Sequence, residues 1–484
     1  MRYTLSLLII LFTVALSSCV KQPDAIYPAS GDFWKKQGIN QVLDCWAPNL
    51  RDTVSGGFNA FLDRKWQPYN GSEQYPGMIS RHLFSFSVGY LLTGDGEYLH
   101  QAGQIYDYMI KHGWDSKYGG WYNALDNNGN VLDSAKDGFY QPYAITGLVM
   151  YYFVTHDKEV LDYIEQSNDI MEMNAWDHEY GGYYRSLNRD LAVQSSDKDF
   201  SPQLAPVSGY LIYLYLATRD RVYLEQMEKI MATVNEKMSS PTGPWILERF
   251  DRKWNYTSEA GNDGTELNTG HNIEIIWMLL RLYELTEKKD YLQRANELQQ
   301  LIYKYGFAEE EEMWYHKIGL ADPAVHKVSS PWWIQAYGNM CSLSLYNIKR
   351  EDRFLEFYRK GTEFWNRNFI DNEYGGAYLS VNLDGSIDKG NKAVRSKTSY
   401  HSMEHAMVNY IYTSLLSGDK SVKLHFKLDK HLAAEKLYPL PLETKGFSIS
   451  QVSINGEQWN DYEDSFICLP SMEQMNIEVI IRNK

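Results

Sequence analysis

Cysteine is scarce in this chain, and positive charge is outnumbered. There are four cysteines in 484 residues. One, Cys19, follows an apolar leader, which leaves Cys45, Cys341 and Cys468, an odd number without metal-ligand spacing. That count argues against a disulfide framework and against a structural zinc site. Lys and Arg total 47 against 62 Asp and Glu, a formal charge of −15. Such a balance argues against nucleic acid as a partner and, more mildly, against a strongly anionic polymer. Also missing are a phosphate-cradling glycine loop, a dinucleotide fingerprint and any Ser-His-Asp context, so no cofactor is called for. His316 and His326 are too far apart for a helical metal pair, and only a loop-borne ion is left open.

Long apolar runs are confined to the N-terminus. Met1 and Arg2 precede "LSLLIILFTVA", which has signal-peptide length and is short for a bilayer span. It ends in "LSSC" (Leu16 to Cys19), which resembles the cleavage box of bacterial lipoproteins, where the cysteine is lipidated and becomes the first mature residue. Residues 1–18 therefore read as a lipoprotein signal peptide and 19–30 as a linker. The expectation is an exported lipoprotein at the outer membrane, cell surface or periplasmic side, held only by the lipid on Cys19.

What is abundant is aromatic and apolar. Tyr numbers 38 and Trp 14, and 44% of residues are hydrophobic, enough for a large core. Sugar-binding clefts also use aromatic faces, so the excess leans toward carbohydrate as substrate.

The chain also repeats itself. "DSKYGGWYNALDNNGN" begins at Asp115, "DHEYGGYYRSLNRDL" at Asp177 and "DNEYGGAYLSVNLDGS" at Asp371, with a looser copy at Asp52 and degenerate ones at Thr242 and Glu309. The six starts are spaced by about 62 to 67 residues. Each Gly-Gly frees the backbone for a turn, and the flanking alternation predicts a short hairpin. Two stretches of helical periodicity separate successive hairpins, as in "RHLFSFSVGYLLTG" and "DGEYLHQAGQIYDYMIKHGW". Six helix pairs without a polar capping repeat at either end predict a closed (α/α)6 toroid over residues 31–417, mainly α, with an open solenoid as the rival. After about Gly418 the pattern becomes strand-like, in "SVKLHFKL", "GFSISQVSI" and "MNIEVIIRN", with Asn455-Gly456 as a hairpin turn. Residues 418–484 therefore read as a small antiparallel β domain, a cap on the toroid in preference to a sugar-binding module.

Polar residues at the heads of apolar inner helices are the candidates for chemistry, because a ring brings those heads together. His271 and Glu274 share one face of "GHNIEIIWMLLRL". "SYHSMEHAM" places Tyr400, His401, Glu404 and His405 at the last inner helix. Arg81 and His82 open the first, Tyr140 and Gln141 the second, and Lys327, Trp332, Trp333 and Gln335 the fifth. A single histidine at a helix start more often satisfies orphan amides or packs as a buried polar group. Convergence of several lowers the weight of that reading.

Taken together, the repeats, "GHNIEIIW", "SRHLFSFS" and "SYHSMEH" resemble the N-acylglucosamine 2-epimerase and cellobiose 2-epimerase family over roughly residues 30 to 417. The resemblance implies the same (α/α)6 toroid. It implies that His271 and His401 move a proton on or off a sugar carbon beside a carbonyl, that Arg81 binds and polarises the substrate, and that Glu274 orients its histidine neighbour. There is one departure. The family's Tyr-His-x-x-Arg is Tyr400-His401-Ser402-Met403-Glu404 here, an anion in place of a cation, with His405 as a stand-in if the helix start is offset by one residue.

Two reactions share the first step. An epimerase takes the C2 proton of an opened sugar and returns one to the other face. A uronate lyase takes the C5 proton and expels the C4 oxygen. Both need a group poised near neutral pH and a cation or strong donor on the developing enolate. For a lyase His401 would be the base, Tyr400 or Tyr140 the acid, and Arg81 with His271 would hold the carboxylate. Export and the altered last motif place a polysaccharide lyase first, with the 2-epimerase or isomerase as the alternative. A glycoside hydrolase recruiting Asp263, Glu266 and Glu404 comes third. A glycan-binding lipoprotein without activity comes last.

Overall fold

The computed structural model describes residues 30–484 except 70, 72, 242, 258–265, 321, 323–328, 417–420, 432–434 and 444. The leader and Cys19, Asp263, His326 and Lys327 lie outside the described residues.

Among the described residues twelve helices alternate between an outer and an inner layer. The outer ones are α1 (31–46), α3 (96–113), α5 (158–175), α7 (Arg221–Lys237), α9 (Lys289–Tyr305) and α11 (352–369). The inner ones are α2 (Pro76–Thr93), α4 (Tyr140–Thr155), α6 (200–218), α8 (Thr269–Thr286), α10 (Trp332–Lys349) and α12 (Tyr400–Leu416). The layers follow from the residues. Apart from Arg81 and His82, α2 is apolar or small on every side, and it is buried from Pro76 to Leu92, as a helix without a solvent-facing polar stripe must be. The first four turns of α5 bury only the stripe Val160, Ile164, Ser167 and Asn168. The first three tight turns from inner to outer helix end on an aspartate cap. Asp95, Asp157 and Asp220 each accept the backbone N–H two residues on, at 3.0, 2.9 and 3.0 Å.

The hairpins lie where an outer helix hands over to the next inner one. In three of them both glycines are left-handed: Gly119 and Gly120 at φ 77° and 71°, Gly181 and Gly182 at 76° and 74°, Gly375 and Gly376 at 72° and 71°. Two such residues in succession are open to glycine and costly for any other side chain. The hairpin is then clasped by an amide from the next inner helix. Gln141 accepts from the Trp121 N–H and donates to its carbonyl (3.0 and 2.8 Å). Gln203 does the same at Tyr183 (2.7 and 2.8 Å), Gln335 at Trp314 (3.0 and 2.7 Å) and Asn272 at Ile246 (3.0 and 3.2 Å).

Ring closure is visible in a contact that recurs between neighbours. Arg189 of the third hairpin reaches back to Asp115 of the second (Nε–Oδ2 2.9 Å), and Arg252 of the fourth to Asp177 of the third (3.0 Å). Arg64 of the first hairpin makes the same bond to Asp371 of the sixth (3.0 Å). A tryptophan repeats the step: Trp254 Nε1 donates to the Tyr180 carbonyl (2.9 Å), and Trp66 Nε1 to that of Tyr374 (2.8 Å). The last repeat thus meets the first as interior repeats meet each other, which an open solenoid lacks. Behind each arginine a buried lysine shares the carboxylate, Lys136, Lys198 and Lys392 in turn. Burial pulls the Lys136 and Lys198 amines down to about 8 although each aspartate opposes the fall.

The C-terminal residues form a four-stranded antiparallel sheet in the order Val422–His431, Met472–Asn483, Phe447–Ile454, Glu457–Trp459. Asn455 and Gly456 turn the last pair with φ 51° and 86°. The sheet covers the ends of the inner helices remote from their heads. Phe426 packs on Phe153 near the end of α4 (5.9 Å), and the Tyr410 hydroxyl of α12 accepts the Lys423 N–H (3.0 Å). Glu443 forms a fully buried ion pair with Arg281 of α8. The three cysteines in the described residues are free. No described helix is long and apolar enough to cross a membrane.

Candidate active site

Where the inner-helix heads converge, a cavity of about 130 Å³ opens. Arg81, His271, Glu274, Trp332, Trp333 and His401, all singled out from sequence, line it. Phe139, Tyr143, Phe200, Ser201, Tyr337 and Ser396, which were not, complete the wall.

His271 is placed by the cap of α8: Asn268 Oδ1 accepts its backbone N–H at 3.2 Å. Its ring stacks on Phe200 (4.1 Å, 17° between planes), and Trp333 lies 5.2 Å away. The imidazole is oriented by Glu248, whose Oε1 stands 2.5 Å from Nδ1. This corrects the expectation that Glu274 orients it. Glu274 faces the cavity too, but it is fully buried against the Ser208 and Tyr337 hydroxyls. Its burial raises it above the ordinary carboxylate range, with His271 opposing. Glu248 is also desolvated, yet the His271 charge and hydrogen bond outweigh burial and hold it below that range.

Sequence reasoning missed Glu248 because it lies in a degenerate repeat without Gly-Gly. Superposing the repeats by their backbone bonds would have found it. Tyr122, Tyr184, Leu247, Tyr315 and Tyr378 each donate from N–H to the last residue or two of the preceding outer helix or its cap. The carbonyls of the next position, Arg185, Glu248, His316 and Leu379, accept the N–H of Gly138, Phe200, Thr269 and Trp332 at the heads of the preceding inner helices. Glu248 and His316 are its polar occupants around His271, and burial lowers the His316 imidazole to about 4.

His401 is more deeply set, with Trp332 at 5.9 Å and Tyr337 at 5.3 Å, both edge-on. Burial first, and the Arg81 charge second, hold it well below the usual imidazole range. Arg81 lies 3.6 Å over the Tyr143 ring and donates to the Ser396 carbonyl (3.2 Å). Its buried Nε has no hydrogen-bond partner among the described residues. A guanidinium so anchored keeps donor capacity for an oxygen in the cavity.

The remaining candidates lie elsewhere. Gln141 and Gln335 spend both ends of their amides on the hairpins, so neither is free for substrate. Tyr140 sits one layer out, stacked on Tyr75 (5.3 Å, 10°), and accepts a 2.6 Å bond from Arg395 Nε. His82 pairs with Ser399 (2.8 Å) and packs on Trp46, and burial drops it to about 3. His405 is one turn deeper than His401, between Trp34 and Trp365 (4.9 and 4.8 Å), also held at about 3 by burial. It is a core histidine and cannot replace the family arginine. Tyr400 and Glu404 form the floor beneath His401, joined by a 3.1 Å bond from the Tyr400 hydroxyl to Oε1. Among the described residues no group of three His, Cys, Asp or Glu is arranged to hold a metal.

Two imidazoles, a buried guanidinium and an aromatic wall around one small cavity suit proton transfer at a sugar carbon beside a carbonyl. The comparisons agree. The chain is 24% identical over 387 residues to a cellobiose 2-epimerase of Bacteroides fragilis, covering 76% of this chain and 95% of that one. It is 23% identical to a D-mannose isomerase of Marinomonas mediterranea, covering 78% and 96%. The solved structure of a cellobiose 2-epimerase from Bacillus thermoamylovorans B4167 superposes with a TM-score of 0.71 at 22% identity, over 78% of this chain and 98% of that one. The family model for N-acylglucosamine 2-epimerase (GlcNAc 2-epimerase) matches residues 56–405, which takes in Arg81, His271 and His401 and ends before the sheet, and the chain therefore belongs to that family.

Proposed function

We propose that this protein is a sugar 2-epimerase or aldose–ketose isomerase that moves the C2 proton of an opened sugar between His401 and His271. The observation that carries the reading is that both imidazoles and the Arg81 guanidinium line one cavity in a member of this family. His401 is neutral at working pH, as a base must be, because burial disfavours its cation. Taking the proton from C2 leaves an enediolate, whose oxygen charge falls to Arg81. His271, with Glu248 behind it, returns a proton to the other face for epimerisation, while return to C1 gives the ketose. The aromatic wall excludes water, which strengthens the Arg81 interaction and protects the intermediate.

The lyase reading rested on export and the altered last motif, and no comparison supports it. Of the carboxylates a hydrolase would recruit, Glu404 lies under the floor, and the described carboxylate in the cavity wall is Glu274. The leader supports an exported lipoprotein carrying lipid on Cys19, and loss of membrane fractionation in Cys19→Ser tests that proposal.

Incubation with cellobiose, mannose and glucose in D₂O tests the reaction. Deuterium should appear at C2 of a 2-epimer or at C1 of a ketose, and His401→Asn should abolish it, a loss of ~10²-fold or more. An inert wild type, or an active His401→Asn, overturns the reading.

A further inference from the structure

The residue that departs from the family motif stands behind His401. Glu404 Oε1 accepts two hydroxyls, Tyr213 at 2.8 Å and Tyr400 at 3.1 Å. Its other oxygen, Oε2, is buried without a hydrogen bond among the described residues, 3.9 Å from His401 Nδ1, which is likewise buried and without one among them. Two complementary polar atoms left facing each other in a dry interior are costly unless they share a proton directly or through one water.

An anion is tolerated here because α8 supplies a cation one layer down. The Arg281 guanidinium lies 5.1 Å over the Tyr213 ring, and its Nη1 and Nη2 are buried without hydrogen bonds among the described residues. Its own countercharge is Glu443, carried on the C-terminal region.

From this geometry we infer that Glu404 is a positioning and proton-sharing partner of His401, so that the proton His401 takes from substrate is passed on to Glu404 Oε2. The inference rests on the assignment of His401 as a proton-transfer group. Before reaction Glu404 is a carboxylate that takes the Nδ1–H as the pair closes from 3.9 Å or through one bridging water, and the Nε2 lone pair is the base. The C2 proton bonds to Nε2, the Nδ1 proton moves to Oε2, and the C–H electron pair stays with carbon as the enediolate. Imidazole is neutral before and after. The negative charge leaves Glu404 and reappears on the enediolate, where Arg81 receives it. The ring therefore never becomes an imidazolium in a buried site already beside Arg81.

Burial brings Glu404 up to about 7, with its hydrogen bonds and Arg281 opposing, so both states of the pair are accessible near neutral pH. The charged and titratable groups that face it are Tyr213 of α6, Glu274 and Arg281 of α8, and Tyr400 and His401 of its own helix. Tyr337 of α10 and Tyr143 of α4 complete the set.

Glu404→Gln is the test, because the amide keeps shape while losing the titration. Its oxygen would take the two tyrosine hydroxyls and its NH₂ would face Nδ1, locking His401 with the proton on Nε2. ¹⁵N-histidine NMR, assigned with His401→Asn, should show the wild-type His401 proton moving from Nε2 to Nδ1 as pH rises through about 7. In Glu404→Gln it should stay on Nε2 from pH 5 to 9. On the sugar that the wild type turns over, kcat should fall ~10²-fold with KM within about threefold. Glu404→Asp should recover part of kcat and the pH-dependent tautomer change. Equal tautomers and pH profiles in wild type and Glu404→Gln overturn the inference. If Glu404→Gln does not fold, an invariant tautomer in the wild type and in Glu404→Asp overturns it. An inert wild type whose His401 nonetheless switches tautomer with pH would refute the assigned reaction and leave the pair standing.

Discussion

Two kinds of hairpin alternate with the helix pairs, and they use their charges differently. In the second, third and sixth, a buried aspartate binds a buried lysine behind it and an arginine from the next hairpin. In the fourth, Ser240 takes the aspartate's place, and its N–H makes the same bond, to the Trp245 carbonyl, that Asp115, Asp177 and Asp371 make to their second glycine. This hairpin still sends Arg252 to Asp177 of the third, and it also presents Glu248 to His271 at 2.5 Å. The regular hairpins hold the ring, and the irregular one both joins it and serves the cavity.

The largest effect should come from breaking a regular hairpin. Asp371→Ala strands Lys392, whose ammonium bonds Oδ2 at 2.8 Å in a fully buried site, and leaves Arg64 without its main partner. Removing one member of a buried ionic cluster costs about 3–5 kcal/mol, readable by urea denaturation. Activity per folded molecule should be preserved. Acid should act on the same bond. Desolvation alone would raise Asp371, but Arg64 and Lys392 pull it well below the carboxylate range. Its stabilisation is therefore complete above the unfolded value near 3.9 and is lost as pH falls below it. Asp371→Asn should flatten that acid limb. A cost under about 1 kcal/mol would show that the network is decoration.

Glu248→Gln should do the reverse. The amide fits the same space but cannot stabilise a protonated His271, so kcat should fall ~10²-fold, about 2.7 kcal/mol of barrier. The melting temperature should move by only a few degrees, since the amide keeps the shape and one neutral hydrogen bond of a mostly buried pair. An unchanged kcat would return the role of orienter to Glu274 and erase the distinction between the two kinds of hairpin.

The ring was legible because its signals are local: Gly-Gly at a fixed period and helices apolar on every side. That His271, His401 and Arg81 lie together was legible as well, since each sits in the first turns of an inner helix, His271 in a complete Gly-His-x-x-Glu and His401 in a motif altered only at Glu404. The rest failed for physical reasons. A polar residue at a helix head was read as aimed at the axis, but one residue of helix is about 100° of rotation. Gln141 and Gln335 thus turn to the hairpin peptides while their neighbours turn to the cavity. His405 lies a full turn below the head, where α1 and α11 supply indoles in place of solvent. Glu248 comes from 23 residues upstream and has no helical spacing to reveal it. Glu404 reads from sequence as a lost cation, a substrate contact or a hydrolase carboxylate, and its place behind His401 was hidden because its countercharge Arg281 lies on another helix and is fixed by a glutamate from beyond the toroid.

The smallest effect asks whether the closing joint is like the interior ones. Arg64→Ala and Arg252→Ala remove equivalent arginines, each about a third exposed or slightly more, from equivalent aspartates that keep their buried lysines. Each should cost little, because an exposed guanidinium is screened by water and the carboxylate is not abandoned. Their equality matters more than their size. A ring closed by the same contact that joins its neighbours should shift the urea midpoint equally at either joint. A markedly larger loss at Arg64 would mean that the seam between last and first repeats depends on this one arginine, whereas interior joints share the work with the short covalent connection between successive repeats. A markedly smaller loss would mean that α1, packed against α12 through Trp34 and His405, closes the ring by itself.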